Sequence, residues 1–174
     1  AIGYTTSNAT SPNFPSIAYS GRLASDPLNT LPQTETQMVA GTLSQAFNCG
    51  GAACTRWGDY TAMSVDPVDE CTFWYTSEYY ASGDALGNWR TRIGSFRFPT
   101  CKGNTTTTIT GQDARQGVHL ARLIQDTRDP NTLWLGSQGA GLLHFDKRTG
   151  VCENFTIAHD GPANFTNVVS GILS

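Results

Sequence analysis

Asp66-Pro67-Val68-Asp69-Glu70-Cys71-Thr72-Phe73-Trp74-Tyr75-Thr76-Ser77 returns sixty residues later as Asp126-Thr127-Arg128-Asp129-Pro130-Asn131-Thr132-Leu133-Trp134-Leu135-Gly136-Ser137. Each copy follows a short apolar run, residues 60–65 in the first and 119–124 in the second. Both spell a strand, a D-x-x-D turn, and T-x-W-x-x-S at the head of the next strand. Similarity at a fixed spacing is the mark of a repeated supersecondary unit. Aspartate side chains bond to their own backbone in tight turns, and proline presets φ, so a turn is enough to explain the D-x-x-D element. The oxygen-ligand density of a calcium loop is absent, and no metal is assigned to these carboxylates.

Working outward from the first copy, residues 72–80 and 89–98 read as an antiparallel hairpin. The register that sets Cys71 opposite Cys101 also sets Trp74 opposite Phe98 and Tyr80 opposite Arg92. Alternation then puts Trp74, Thr76, Glu78 and Tyr80 on one face and Phe73, Tyr75, Ser77 and Tyr79 on the other. Both faces are partly apolar, as in a sheet packed between two others. Around the second copy, residues 132–137, 141–145 and 151–157 form a meander whose middle turn is Asp146-Lys147-Arg148-Thr149-Gly150. Short strand candidates at 16–24 and 37–43 precede both copies. Residues 1–15 mix turn formers without a period and read as an extended arm, and 102–114, with its Thr105–Thr108 run, reads as a linker. Apolar residues rarely recur at helical spacing for more than a turn, so the expected class is all-β. The expected division is an arm at 1–15, a disulfide-stapled module at 16–101, a linker at 102–114, and a second unit with a C-terminal strand at 115–174.

Leu133-Trp134-Leu135-Gly136-Ser137-Gln138-Gly139-Ala140-Gly141-Leu142-Leu143-His144-Phe145-Asp146 resembles the blade repeat of two-component-regulator-type propellers, in which T-L-W-x-G-T-x-G-x-G-L-x-x-F-D recurs. Arg56-Trp57-Gly58-Asp59-Tyr60, with Asp66-Pro67, Phe73-Trp74 and Glu78-Tyr79, is similar to a module of large secreted bacterial proteins of the sialidase-like, BNR-type propeller kind, over about residues 16–101. The resemblance implies two propeller-like antiparallel blades. Propellers close with about four to eight blades, so two do not close within one chain. The exposed faces and edges then call for a larger protein, a ring of copies, or copies adding strands head to tail in a filament. The arm and residues 165–173 are the strands suited to such exchange. The Asp-box serines of true sialidases are not matched.

The length of 174 residues allows a core that buries about 70% of the unfolded chain's surface. With 11 basic and 14 acidic residues the net charge is −3, which argues against nucleic acid. Charged residues make up only 14% of the chain, and 23 Thr and 13 Ser supply uncharged polarity in their place. No apolar run reaches the roughly 20 residues of a membrane span, and the start Ala1-Ile2-Gly3 reads as a mature end after processing. Cysteines 49, 54, 71, 101 and 152 lack zinc-knuckle or redox spacing. Bridges Cys49–Cys54 and Cys71–Cys101 are expected, leaving Cys152 buried or available to another chain. Asn8, Asn104, Asn154 and Asn164 each begin an N-x-Thr acceptor sequence, and either glycans or hydroxyl-rich loops at these places suit a secreted protein.

Catalytic motifs are missing: there is no G-x-S-x-G, H-E-x-x-H or Walker loop, and His119, His144 and His159 lie far apart in sequence. No cofactor is expected, and no catalytic residue is assigned. The richest cluster is Arg56, Trp57, Asp59, Tyr60, Glu78, Tyr79, Tyr80, Arg90 and Arg92. Aromatic platforms beside charges suit a glycan or peptide, Asp59 with Glu78 would be the pair of a glycosidase, and packing between sheets explains the same residues without a ligand. The leading expectation is a non-enzymatic, secreted structural or adhesive protein acting with copies of itself, followed by a glycan- or protein-binding module.

Overall fold

The computed structural model describes residues 1–8, 13–45, 47–49, 52–54, 58–82, 89–99, 101, 112–114, 119–138 and 142–155; for 47–49, 52–54, 112–114, 119–121, 138, 154 and 155 it describes the backbone alone. These residues form thirteen strands and no helix, and the chain is all-β as expected. The N-terminal sheet is β1 (Ile2–Asn8), β2 (Asn13–Gly21) and β3 (Gln33–Val39). A two-stranded ribbon, β4 (Phe47–Cys49) with β5 (Ala52–Cys54), follows. The middle sheet is the meander β6 (Ala62–Val65), β7 (Phe73–Tyr79), β8 (Arg90–Phe96) and β9 (Gln112–Ala114). The C-terminal sheet is the meander β10 (His119–Gln125), β11 (Thr132–Gln138), β12 (Leu142–Asp146) and β13 (Cys152–Phe155). All pairings are antiparallel and no sheet closes on itself.

The middle sheet is packed on both faces because β7 is apolar on both. Phe73, Tyr75 and Tyr79 meet Ile17, Tyr19 and Met38 of the N-terminal sheet, together with Phe96 and Phe98. Trp74 and Ile93 face the other way, into Leu123, Leu133, Leu135, Leu143 and Phe145 of the C-terminal sheet. Each fully buried Leu, Ile or Phe stabilises by about 1.5–3 kcal/mol, so these two layers hold the sheets together.

The extended stretch at the N-terminus packs into the first sheet: Ile2–Asn8 form β1, which pairs with β2, Tyr4 opposite Ala18, because Ile2, Tyr4 and the threonines suit a strand. Gly3 lets the Tyr75 ring lie directly on the β1 backbone, where any Cβ would collide. Three expectations need correction. The strand expected at 37–43 runs instead over Gln33–Val39, because Gly41 and Thr42 leave the sheet, donating to Ser16 Oγ and the Tyr80 carbonyl. The linker expected at 102–114 ends in β9, which pairs with β8; residues 102–111 lie outside the described set.

The β7–β8 register also differs. Trp74 lies opposite Ser95, not Phe98, a slide of three residues (98 − 95) that exchanges the faces of β8. Cys101 N donates to the Phe98 carbonyl, so the chain leaves the ladder after β8 and the Cys71–Cys101 bridge, with Cα atoms 5.7 Å apart, forms outside it. The observed register places Ile93 beside Trp74 and stacks Phe96 on Phe73 at 5.3 Å. Reducing this bridge, which spans a sequence separation of 30, is expected to cost about 3 kcal/mol by releasing loop entropy in the unfolded chain. Urea titration with and without a reductant that leaves the native fold intact checks this, and an unchanged midpoint would contradict it.

Candidate functional site

The described members of the aromatic and charged cluster do not make one open platform. Glu78, Tyr79 and Tyr80 are all buried, and Glu78 Oε2 accepts from Gly58 N at 2.8 Å. Burial pushes the Tyr80 phenol upward; a hydrogen bond with Gln45 opposes this and the Glu78 charge reinforces it. Arg92 lies opposite Ser77 and Arg90 opposite Tyr79, so both belong to the face away from Glu78, and the Arg92 guanidinium sits over the Tyr79 ring at 5.6 Å. Asp59 is exposed and Tyr60 half-buried, while Arg56 and Trp57 lie outside the described residues. Among the described residues no His, Cys, Asp and Glu cluster could hold a metal.

The repeat itself builds the more definite arrangement. In the first copy Asp66 Oδ1 caps Val68 N, Asp69 takes the amides of Cys71 and Thr72 and the Thr72 hydroxyl, and Trp74 Nε1 donates to Asp66 Oδ2 at 2.9 Å. In the second, Asp126 Oδ1 takes the amides of Arg128 and Asp129, Asp129 takes Asn131 N and Thr132 Oγ1, and Trp134 Nε1 donates to Asp126 Oδ2 at 2.6 Å. The D-x-x-D turn therefore does more than reverse the chain: its first carboxylate seats the indole of the tryptophan eight residues on.

Among the described residues, Asp66 forms an ion pair and Asp126 does not. Lys147, from the β12–β13 turn of the C-terminal sheet, reaches Asp66 Oδ2 at 2.6 Å, and its ammonium lies 5.5 Å from the Trp74 ring centre. Both side chains are close to fully buried, 8% and 11% exposed. Gly150, at φ 72°, closes that turn in the left-handed region that glycine adopts without strain. No match to this chain is found among protein families, characterised proteins or solved structures.

The other residues singled out in the sequence have structural surroundings. His144 Nε2 lies 3.0 Å from Thr132 Oγ1, with its ring edge-on to Trp134. Cys152 carries a half-buried thiol packed against the inter-sheet core. Asn8 is exposed at the end of β1; Asn104, Asn164 and the Asn154 side chain lie outside the described residues, as do the Cys49 and Cys54 side chains. An open groove of about 670 Å³ runs over the Cys71–Cys101 bridge, lined by Arg22, Leu23, Glu70, Phe73 and Phe98. Sequence reasoning missed the Asp66–Lys147 pair, since nothing local links positions 81 residues apart.

The turn carboxylates give a pH dependence. The Arg148 side chain and backbone hold Asp146 down to about 2 from 3.8. The Trp134 indole N–H, followed by the Arg128 amide, lowers Asp126, and the Asn131 amide and Thr132 hydroxyl lower Asp129. For Asp69 desolvation pushes up, and the bonds from Thr72 and Cys71 outweigh it. Depressed folded-state values stabilise above the unfolded value of 3.8, and that contribution is lost as pH falls toward 2. The melting temperature is expected to fall over this window and to fall less in Asp146→Asn; identical profiles for the two proteins would contradict it.

Proposed function

We propose that the chain is a secreted, non-enzymatic structural or adhesive protein that works as an assembly with copies of itself, in the manner of a filament subunit. One observation carries the reading: the outward face of the C-terminal sheet, with half-buried Trp134, Ile124, Leu142 and His144, is the counterpart of the Trp74 face of the middle sheet, on which a further sheet packs. Two four-stranded meanders with matching Asp–Trp turns agree with the propeller-blade resemblance, whose blades need neighbours on both sides. Since β1 is already paired within the chain, contact through sheet faces is favoured over donation of that strand. The Cys71–Cys101 bridge and the acceptor asparagines support an extracellular setting. The burial of Glu78 and Tyr80 weighs against glycan binding or glycoside hydrolysis at that cluster. Negative-stain electron microscopy and light scattering on untreated native material test the reading. Filaments or regular higher-order particles support it; a monodisperse monomer at high concentration overturns it.

A further inference from the structure

The loop between β2 and β3 and the turn between β6 and β7 hold the open groove between them, with the Cys71–Cys101 bridge in its lining. Leu23, Phe73 and Phe98 are half-buried along it, and its volume of about 670 Å³ falls in the range of small-molecule sites. The two rings are fixed in place: Phe98 lies against the Gly21 backbone, where any Cβ would meet its ring, and stands edge-on to Phe73 at 6.1 Å. The groove is therefore preformed. The same loop and turn also carry Leu28, 76% exposed, and Val68, 63% exposed, so apolar surface continues past its rims.

Arg22 adds a charge to this apolar lining. Its Nη2 donates to the Asp26 carbonyl, its Nε is buried with no acceptor, and among the described residues it forms no ion pair. The Asp26 carboxylate accepts from Leu23 N and Gln33 Nε2 instead. A half-buried guanidinium with an unmet donor and no counter-charge calls for an anion. Glu70, the other charged residue of the lining, is exposed, and its φ of 52° lies in the left-handed region that a non-glycine residue rarely adopts. The second copy closes the same turn with the matching bond, Asp126 N to the Thr132 carbonyl, using Pro130 in place of Glu70 and Asn131 in place of Cys71. The bridge and the left-handed glutamate are thus additions to the turn and not requirements of it.

We propose that this groove binds an aliphatic chain with a carboxylate head, the chemistry of a free fatty acid, with the head at the Arg22 guanidinium and the chain along Leu23, Phe98 and Phe73. The site is independent of the assembly reading. An open trough suits a linear, flexible chain better than a compact body, and the planar guanidinium matches a carboxylate with parallel N–H bonds. Every methylene taken from water onto the leucine and phenylalanine surface adds to affinity, so chain length and head charge contribute separately.

The test is isothermal titration calorimetry of the full-length chain with dodecanoate below its micelle concentration, with folding of every variant checked by near-ultraviolet circular dichroism. One dodecanoate per chain is expected, and octanoate is expected to bind about tenfold or more weakly. Arg22→Met keeps the apolar stem and is expected to weaken dodecanoate about tenfold while leaving dodecan-1-ol unchanged. Glu70→Gln is expected to strengthen dodecanoate about twofold, by removing an exposed like charge. Ala24→Trp, at an exposed position of the lining, is expected to block both ligands. No heat of binding with the unmodified protein overturns the proposal, as does equal affinity of Arg22→Met for the carboxylate. A preference for dodecylamine that Glu70→Gln abolishes would assign the site to a cation. Binding to phosphatidylglycerol vesicles without binding of monomeric dodecanoate would make it a membrane contact, and either result overturns the fatty-acid assignment. Light scattering on the same samples reads assembly separately.

Discussion

Lys147→Met is expected to destabilise the fold by about 3–5 kcal/mol. Methionine keeps the unbranched stem and its contact with the Trp74 ring, so the loss isolates the ammonium. What remains is Asp66, 8% exposed, with its Oδ2 held by Trp74 Nε1 and no counter-charge. Taking a carboxylate out of water without a partner costs several kcal/mol, which is why breaking one side of a buried pair is more damaging than the pair's own attraction implies. Asp66→Asn in the Lys147→Met background removes the stranded charge and is expected to recover part of the loss, giving a positive coupling in a double-mutant cycle. The same change at the second copy, Asp126→Asn, is expected to cost no more than about 1 kcal/mol in the isolated chain, because that carboxylate has no buried cation to strand. Urea denaturation at pH 7 supplies all four values. A Lys147→Met loss below about 1 kcal/mol would mean that the pair is screened by water and does not join the sheets.

The sixty-residue repeat made the architecture legible because its turn chemistry is local. Asp66, Asp69, Asp126 and Asp129 cap amides two or three residues away, and such bonds are set by spacing alone. The alternation of β7 likewise announced a sheet covered on both sides, as its two core layers bear out. What the sequence hid was non-local. The Cys71–Cys101 bridge does not fix the β7–β8 register, because a bridge at the end of a hairpin tolerates a turn between cysteine and ladder, and the aromatic pairing of Phe73 with Phe96 decides it instead. Residues 1–15 read as an arm because the turn formers Pro12, Asn13 and Pro15 break any period, although Asn13 and Pro15 already belong to β2, the partner of β1. For Glu78, Tyr79 and Tyr80 ligand binding and packing between sheets both stayed open, because aromatic and charged residues side by side read the same whether they meet solvent or a neighbouring sheet. The link between Asp66 and Lys147 had no signature until both meanders were set face to face.

Phe145→Ala is the second large effect expected, about 3–5 kcal/mol. Phe145 is fully buried at the centre of the layer between the middle and C-terminal sheets, edge-on to Trp74 at 5.7 Å and sharing that layer with Ile93, Leu123, Leu133, Leu135 and Leu143. Removing the ring loses its transfer free energy and leaves a cavity that only partly collapses, because the layer is walled by two hydrogen-bonded sheets that cannot move together strand by strand. The ring also steadies the neighbouring ion pair: Lys147 lies two residues along, and Trp74, the wall on which Phe145 packs, donates to Asp66. Loosening Phe145 therefore admits water to a pair that depends on being dry. Phe145→Leu refills most of the volume and is expected to cost about 1 kcal/mol. Hydrogen exchange distinguishes a local from a docking defect. Amides of β11 and β12 are expected to lose protection before those of β2 and β7, since the N-terminal and middle sheets share a separate core around Ile17, Tyr75 and Phe96. Uniform loss across all three sheets would instead mean that the C-terminal sheet does not dock as a unit, and that the layer around Phe145 belongs to one indivisible core.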